Sequence, residues 1–325
     1  MLNVIIPVYK ARETLPNALD SLVAQTFKRF FVTISQDGDG EDYSDIITEY
    51  KRRGLHINHI DCKENGGPGM ARQRGIDLSI SKNYDYVMFL DADDIVTPRA
   101  VEVLYKEIQK NLVDIMISSF IAENEHDSQM LEADKTPITW CHGKMYRLKY
   151  LQENNIRFLD ELKMNEDSYF NLVAVNLTEK KMRINEYTYV WRYNKESLTR
   201  DGESEAFFLK SWEQYIYSQV KGIQKIINIK GNINDNVFCA TILNIYYHLQ
   251  RASYFNIDYS HIVPLLTELK EMPEVQDLIS RENFWLGINS SLKSCGFVDK
   301  TLFFYKERFI DWFKLYIADE KKEES

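Results

Sequence analysis

The chain has 325 residues, of which 44% are hydrophobic and 27% are charged, and its formal net charge is −9. This composition fits a globular protein with room for one large domain and a smaller one. Most of the negative charge lies in the first 205 residues, which argues against a nucleic-acid-binding surface in that part of the chain.

The N-terminal segment lacks the pattern of a signal peptide, and no apolar run approaches the roughly 20 residues that span a bilayer. The four cysteines are scattered without C-x-x-C spacing, so we expect reduced thiols rather than a zinc site or a redox pair. Together these features predict a cytoplasmic protein. The cysteines are Cys62, Cys141, Cys239 and Cys295.

Short apolar runs alternate with amphipathic segments in the first part of the chain. They predict strands at 4–6, 30–35, 57–60, 86–90 and 114–120, and helices at 14–27, 46–53 and 68–81. Such an alternation predicts an α/β fold with a mostly parallel, doubly wound sheet flanked by helices. Further along, long helical runs rich in aromatic residues replace the strands, at 207–229 and 236–255. We therefore predict a catalytic α/β domain at 1–205 and a mainly α-helical region at 206–325.

The strand predicted at 86–90 ends in three closely spaced carboxylates, those of Asp91, Asp93 and Asp94. In sheets of this kind, ligands bind beyond the carboxyl ends of the strands. Asp91 and Asp93 are spaced to share a hard, oxygen-seeking cation such as Mg2+ or Mn2+. The structural alternative is that Asp93 or Asp94 caps the next helix.

A glycine-rich turn at 65–69 leads into the helix predicted at 68–81. Its glycines let a ligand approach the backbone closely, and a helix N-terminus favours phosphate. Arg72 and Arg74 add positive charge that suits bidentate pairing. Neither the P-loop nor the Rossmann fingerprint matches, and a tight loop with a solvated helix face is the alternative.

Two later segments contain further candidates. Glu166 and Asp167 precede an apolar helix, where a carboxylate serves either as a general base in a cleft or as a helix cap. The segment 191–199, which begins with Trp191 and Arg192, interleaves aromatic rings with hydroxyl groups. This composition suits sugar rings and equally suits a packed edge segment.

The order of these segments resembles the family 2 glycosyltransferases of the GT-A fold, over about residues 1–200. The segment 21–27 is similar to the family's S-x-x-x-Q-T helix end. The segment 4–9 is similar to its first strand, whose end contacts the donor nucleotide, here through Pro7, Val8 and Tyr9. The resemblance implies a nucleotide-sugar donor, with a UDP-linked sugar expected.

The polar motifs extend this resemblance. Asp37 stands in the family's Asp-Gly turn, where the aspartate commonly accepts a hydrogen bond from the donor's base. The segment 65–75 resembles the N-x-G-x-x-x-A-R-N-x-G helix start, which implies donor contacts for Gly67 and Arg72. The D-x-D motif is matched by Asp91, Ala92 and Asp93. It implies Asp93 as the metal ligand, Asp91 near the ribose or the metal's water shell, and Ala92 near the nucleotide.

The resemblance also implies a mechanism. Glu166 and Asp167 match the family's E-D pair, whose aspartate is the catalytic base of a metal-dependent, inverting transfer that uses Mn2+ or Mg2+. Lys144 stands where the family often has a lysine. Together with Glu166, Trp191 and Arg192, it is expected to contact the acceptor or the diphosphate. The sequence departs from the family at Gln36-Asp37-Gly38-Asp39, where D-D-G-S is usual, and at Gln73, where asparagine is usual.

We expect the acceptor to be a hydroxyl of a glycan or glycoconjugate. The alternatives are a non-catalytic scaffold that binds sugar nucleotides, or a transferase that acts on modified DNA or protein. The region 206–325 lies outside the resemblance and is a candidate for acceptor, membrane or oligomer contact. Its last apolar helix, predicted at 302–317, suits either peripheral contact with the cytoplasmic face of a membrane or a core or homodimer interface.

Overall fold

The computed structural model describes residues 1–123, 130–133, 139–194, 205–281, 284, 311–313, 315 and 317. The chain divides into two compact units, Met1–Gly202 and Glu203–Ser325. The strands belong to the first unit, and the described residues of the second unit are mainly helical.

The first unit contains nine strands and six helices within its described residues. The strands are β1 (Leu2–Val8), β2 (Phe30–Asp37), β3 (His56–Cys62), β4 (Tyr86–Phe89), β5 (Ile95–Val96), β6 (Ile115–Glu123), β7 (Met130–Ala133), β8 (Lys144–Arg147) and β9 (Lys181–Trp191). The helices are α1 (Leu15–Val23), α2 (Ser44–Arg52), α3 (Pro68–Ser81), α4 (Ala100–Asn111), α5 (Leu148–Glu153) and α6 (Glu166–Leu177).

These strands form one sheet in the order β3-β2-β1-β4-β8-β6-β9-β5, with β7 paired to β6. The strands β3, β2, β1 and β4 are parallel, as is the pair β6 and β9. The strand β8 runs antiparallel to both of its neighbours, β4 and β6. The expected α/β sheet with flanking helices is confirmed, and its second half is mixed.

The central strand β1 is buried along almost its whole length, which explains its continuous apolar sequence. Helix α3 packs so closely on this strand that its Gly75 has no space for a side chain. A Cβ atom there would lie 2.5 Å from Cγ2 of Ile5. Glycine at this position therefore lets the helix that begins in the glycine-rich turn lie directly against the sheet.

Helix α1 ends at Val23, earlier than the predicted residue 27, because Gln25 is used in tertiary contacts. The Gln25 amide donates to the carbonyl of Thr97 over 2.8 Å, and its oxygen accepts from the backbone N–H of Val101 over 3.0 Å. The motif that resembles S-x-x-x-Q-T thus anchors the chain between β5 and α4.

The strands β5, β7, β8 and β9 were not predicted from the sequence, and β5 has only two residues. Strand β9 is partly exposed over much of its length and has no clean alternation of apolar and polar residues. Strand β8 has only four residues, and its first, Lys144, is a lysine in a fully buried position. Neither segment gives the apolar pattern by which the other strands were recognised.

The second unit contains α7 (Glu205–Lys230), α8 (Asp235–Tyr254), a 3-10 turn (Ser260–Ile262), α9 (Val263–Lys270) and α10 (Pro273–Ser280). The prediction of a mainly helical C-terminal region is confirmed. Over the described parts of the chain, no helix is both long and apolar enough to cross a membrane.

The amphipathic helix predicted at 302–317 lies largely outside the described residues. Of its described positions, Trp312 packs on Tyr246 with 5.2 Å between ring centroids, and Phe313 packs on Phe284 at 5.3 Å. These contacts lie within the second unit and are those expected of a core helix. Membrane contact and oligomer formation stay predictions.

Candidate functional site

The turn after β4 contains the three clustered acids. The Asp94 backbone N–H donates to the carbonyl of Asp91 over 3.1 Å, which closes the turn. The buried Asp94 carboxylate accepts from the Tyr189 hydroxyl at 2.6 Å and from the Arg192 backbone N–H at 2.8 Å. Burial and the charges of Asp91 and Asp93 raise the pKa of Asp94 well above its ordinary value. The turn is therefore fixed to the end of β9.

The next helix, α4, begins at Ala100 with Arg99 at its N-cap position, so Asp93 and Asp94 do not cap it. That structural alternative is wrong. The Asp93 Oδ2 atom instead accepts from the side-chain amide of Asn194 over 2.9 Å. Both acids are thus used by the segment at and after the end of β9, which places this segment at the candidate cation site.

The side chains at the acidic turn carry ligand atoms that suit a divalent cation. Asp91, Asp93 and Asn194 together offer carboxylate and amide oxygens, the ligands that Mg2+ and Mn2+ prefer. Across the described part of the chain, no group of three or more His, Cys, Asp or Glu side chains is arranged as a metal site. The donor chemistry fits a hard cation that takes its remaining ligands from phosphate and water.

Arg72, on α3, joins this turn to the start of α6. Its Nη2 donates to Asp91 Oδ1 over 2.6 Å, and its Nη1 donates to Glu166 Oε1 over 2.7 Å. Burial by itself would lower the pKa of Arg72, but the neighbouring negative charges, led by Asp91, outweigh it and raise that pKa. Two segments distant in sequence, both predicted to be functional, therefore meet at one guanidinium.

Asp167 lies in the first turn of α6, where Asn165 occupies the N-cap position with a left-handed backbone, φ +59°. Asp167 is half-buried, and its Oδ1 accepts from the Ser168 backbone N–H over 2.7 Å. Burial and the charge of Glu166 raise the pKa of Asp167 to about 7, against the lowering effect of Arg72. A carboxylate with this pKa is suited to accept a proton near neutral pH. Its position inside the first turn is not that of a helix cap.

Lys144 has no exposed surface in this structure. Its Nζ donates to the carbonyl of Trp140. Burial lowers the pKa of Lys144 to about 7, while the neighbouring Cys141 and Asp167 act in the opposite direction. Lys144 is the first residue of β8, and it lies near enough to the candidate base Asp167 for the two charges to interact.

The Asp37 carboxylate is buried at the end of β2 and holds the glycine-rich turn. It accepts from the backbone N–H groups of Gly66 at 3.0 Å and Gly67 at 2.7 Å, and it pairs with Arg74. The resemblance implies that Asp37 binds the base of the sugar nucleotide. That base would share the carboxylate with the three protein groups that already donate hydrogen bonds to it.

Strands β1 and β4 run in parallel with Ile5 opposite Phe89, so both end at the same edge of the sheet. Pro7 and Val8 are the last residues of β1, and Tyr9 follows with 49% of its surface exposed. The sequence-predicted nucleotide contacts on β1 and those after β4, including Ala92, therefore share this edge.

The segment 36–39, where the sequence departs from D-D-G-S, has its own set of hydrogen bonds. Gln36 Nε2 donates to Asp39 Oδ1 over 2.6 Å. The other Asp39 oxygen accepts from the Lys10 backbone N–H at 2.7 Å and from the Tyr43 hydroxyl at 2.8 Å. The acid at position 39 thus ties the loop after β1 to the loop after β2.

Trp191 ends β9 and lies beside Trp140, with 5.7 Å between ring centroids. The next residue, Arg192, pairs with Glu123 through Nε and Oε2 at 3.5 Å. Both tryptophans are half-buried, so they pack partly into an aromatic cluster and keep part of their surface accessible.

Sequence reasoning missed Tyr189 and Asn194, and it considered Asp94 only as a helix cap. The contact between Tyr189 and Asp94 spans 95 residues, and β9 was not among the predicted strands. The available signal was the run of aromatic and β-branched residues at 187–191, a composition typical of strands.

Comparison with known proteins assigns a family. The family model for glycosyl transferase family 2 matches residues 3–180. Glycosyltransferase GlyA of Streptococcus pneumoniae serotype 4 is 29% identical over 227 residues, which cover 61% of this chain and 31% of GlyA. The poly(ribitol-phosphate) beta-glucosyltransferase of Bacillus spizizenii is 30% identical over 218 residues, which cover 62% of this chain and 33% of that enzyme. The chain thus spans about a third of the length of these two relatives.

Solved structures show the same fold. S. aureus TarS 1-349 in complex with UDP-GlcNAc has a TM-score of 0.68 at 18% identity, covering 90% of this chain and 84% of that chain. The mannosyltransferase PcManGT of Pyrobaculum calidifontis, in complex with GDP-Man and Mn2+, has a TM-score of 0.54 at 12% identity, covering 91% of this chain and 85% of that chain. Together with the family match, these likenesses establish that the chain belongs to glycosyl transferase family 2 and has the GT-A fold.

Proposed function

We propose that this chain is a metal-dependent, inverting glycosyltransferase that moves a sugar from a UDP-linked donor to a hydroxyl of a glycan or glycoconjugate. The observation that carries the proposal is the bridge made by Arg72 between Asp91 in the acidic turn and Glu166 beside Asp167. It brings a candidate cation site and a candidate base together at one edge of the sheet.

The donor would lie along the carboxyl ends of β1, β2 and β4. We assign the nucleotide contacts to Pro7, Val8, Tyr9, Asp37, Gly67, Arg72, Asp91 and Ala92. TarS was solved with UDP and with UDP-GlcNAc, which supports a UDP-linked donor. PcManGT was solved with GDP-Man, so the base is open to direct test.

We assign the cation, Mn2+ or Mg2+, to Asp93, with Asp91 near the ribose or the cation's water shell. When bound, the cation supplies positive charge that neutralises the diphosphate leaving group. The solved complex of PcManGT with Mn2+ supports a metal-dependent reaction for this fold.

In the transfer itself, the oxygen of the acceptor hydroxyl would attack the anomeric carbon from the face opposite the nucleotide, and UDP would leave. Asp167 would accept the proton of that hydroxyl. This is a single displacement without a protein nucleophile, so the anomeric configuration inverts. The pKa of Asp167, raised to about 7, makes the group a stronger base than an ordinary aspartate. Glu166 holds Arg72 in place, while Lys144, Trp191 and Arg192 are assigned to the acceptor or the diphosphate.

The Bacillus spizizenii relative is a poly(ribitol-phosphate) glucosyltransferase, which supports a polymeric glycoconjugate acceptor. We assign donor binding and catalysis to residues 1–205 and acceptor, membrane or oligomer contact to 206–325. A sugar-nucleotide-binding scaffold is the alternative, and a candidate base beside the cation site speaks against it because binding alone needs no base.

A thermal-shift screen tests the proposal. UDP-, GDP-, dTDP- and CMP-sugars are each added with and without Mn2+ to the wild type and to Asp93→Ala. We expect a UDP-sugar to raise the Tm more with Mn2+ than without it, and Asp93→Ala to lose the Mn2+-dependent part of this rise. A rise with another nucleotide class would show that the donor carries a different base, and no rise with any donor would contradict the proposed nucleotide-sugar site.

A further inference from the structure

We infer that Tyr189 is a positioning residue for the cation and donor site, because its hydroxyl bonds both ends of the acidic turn. The Asp91 backbone N–H donates to Tyr189 Oη over 3.2 Å, and the hydroxyl donates to Asp94 Oδ2 over 2.6 Å. The inference rests on the proposed function, since it concerns how the candidate cation ligands are held.

Tyr189 is itself firmly held. Its side chain is buried, and its ring stacks on that of His142 with 4.7 Å between centroids and 20° between planes. Its backbone lies in β9 opposite Phe120 of β6. The hydroxyl is therefore presented to the turn from a fixed point in the sheet.

The Asp94 carboxylate also connects the acidic turn to the segment that follows β9. The second Asp94 oxygen accepts from the Arg192 backbone N–H over 2.8 Å, and the chain then reaches Asn194, whose amide donates to Asp93 over 2.9 Å. Asp94 and Tyr189 thus set the relative positions of Asp93 and Asn194. These two residues carry oxygen atoms suited to a hard cation.

Removal of the hydroxyl leaves the Asp91 N–H and one Asp94 oxygen without this partner in a mostly buried turn, which then relaxes. The carboxylate geometry around a cation is sensitive to such a change, because these ligands must all meet at one point. Nucleotide contacts on β1 and β2 do not depend on Tyr189. Of the proposed nucleotide contacts, only Asp91 and Ala92 lie in the acidic turn, so the defect should be much larger in cation-linked binding than in cation-free nucleotide binding.

The test is Tyr189→Phe, which keeps the stacked ring and removes the hydroxyl. Binding of Mn2+ in the presence of UDP is followed by the electron paramagnetic resonance signal of free Mn2+, and UDP binding is followed by calorimetry with and without Mn2+. We expect the Kd for Mn2+ to rise about tenfold, and the cation-free Kd for UDP to rise by less than about twofold. The matched control is Tyr150→Phe, which removes a buried hydroxyl that donates to the Ala174 carbonyl over 2.6 Å. It should leave both constants unchanged.

Asp94→Asn changes the other partner of this contact and keeps the inference testable if Tyr189→Phe folds poorly, since it should also raise the Kd for Mn2+. Where Tyr189→Phe folds, the double variant that combines the two substitutions is a second test. Residues that act as a unit give non-additive effects, so the double variant should bind Mn2+ about as weakly as the weaker single variant. A folded Tyr189→Phe protein with wild-type Mn2+ affinity, or additive effects in the double variant, would overturn the inference alone. Absence of Mn2+-dependent UDP binding in the wild type would overturn the proposed function, and the inference with it.

Discussion

The guanidinium of Arg72 and the carboxylate of Glu166 form a buried ion pair, with 2.7 Å between Nη1 and Oε1. The pair joins helix α3, which follows the glycine-rich turn, to helix α6, whose first turn contains the candidate base. The elements proposed for donor and acceptor contact are thereby connected through one ion pair, and the contribution of this pair to stability can be measured.

We expect Arg72→Met to lower the free energy of unfolding by about 3–5 kcal/mol, because Glu166 is then a buried charge without its partner. Urea unfolding measures the change. The control is Arg157→Met, which breaks an exposed bidentate pair with Asp77 at 2.9 Å. Exposed pairs contribute about 0–1 kcal/mol, so equal losses in the two variants would contradict the prediction.

Asp167→Asn should abolish transfer and leave donor binding nearly unchanged, because the substitution keeps the shape of the side chain and removes its capacity to accept a proton. Release of UDP in the presence of a productive acceptor measures turnover, and calorimetry measures donor binding. Asp61→Asn, at an exposed position of β3, is the control. Lost donor binding with retained turnover would show that Asp167 is not the base.

The acid limb of the pH profile follows from the same residue. Burial first and the charge of Glu166 second raise the pKa of Asp167 to about 7, and a base must be deprotonated to act. We therefore expect kcat/KM to fall about tenfold per pH unit below that pKa and to level off above it. Glu166→Gln removes the neighbouring negative charge, so it should shift the limb to lower pH. If the acid limb stays at the same pH in Glu166→Gln, the charge of Glu166 does not raise the pKa of the base.

Lys144 should make stability depend on pH on the alkaline side. Burial lowers its pKa from 10.5 to about 7, so between these values the unfolded chain binds more protons at this residue than the folded chain. The contribution of Lys144 to the free energy of unfolding therefore becomes more favourable as the pH rises from about 7 to 10.5. We expect Lys144→Met to increase the free energy of unfolding relative to wild type more at pH 6 than at pH 9. Urea unfolding at both pH values tests this, and an equal difference at the two would contradict it.

Gly75→Ala should destabilise the protein by about 1–3 kcal/mol, because the added Cβ overpacks the contact between α3 and β1. The nearest obstacle is Cγ2 of Ile5, at 2.5 Å. The double variant with Ile5→Ala should be more stable than the sum of the two single effects predicts. Strict additivity, measured by thermal unfolding, would show that the strain is relieved elsewhere.

The parallel half of the sheet was predictable because burial on both faces gives strands such as β1 a continuous apolar sequence. Helix α3 was predicted with its observed bounds, since Pro68 starts it after a glycine whose φ is +85°. Strands β8 and β9 could not be recognised in this way. One places a lysine at a fully buried position, and the other is half-exposed.

The same division applies to the site. Candidates at the ends of the parallel strands could be named because ligands bind where such strands end. The partners that hold them, such as Tyr189 and Asn194, come from a segment that no local pattern connects to the acidic turn. Their role follows from tertiary contacts across about a hundred residues of sequence, as the separation of 95 between Tyr189 and Asp94 illustrates.

The antiparallel course of β8 affects how the sequence around the site can diverge in evolution. Because β8 begins beside the end of β4, with Met88 opposite Met145, the rim of the site is assembled from an early stretch of chain and a late one. The early stretch contains the proposed nucleotide contacts, and the late stretch contains Trp140, Lys144, Asp167 and Trp191. Substitution in the late stretch at positions other than Tyr189 and Asn194 leaves the strands proposed to contact the nucleotide intact. The topology thus lets the proposed acceptor contacts diverge within a lineage while the proposed donor contacts are kept.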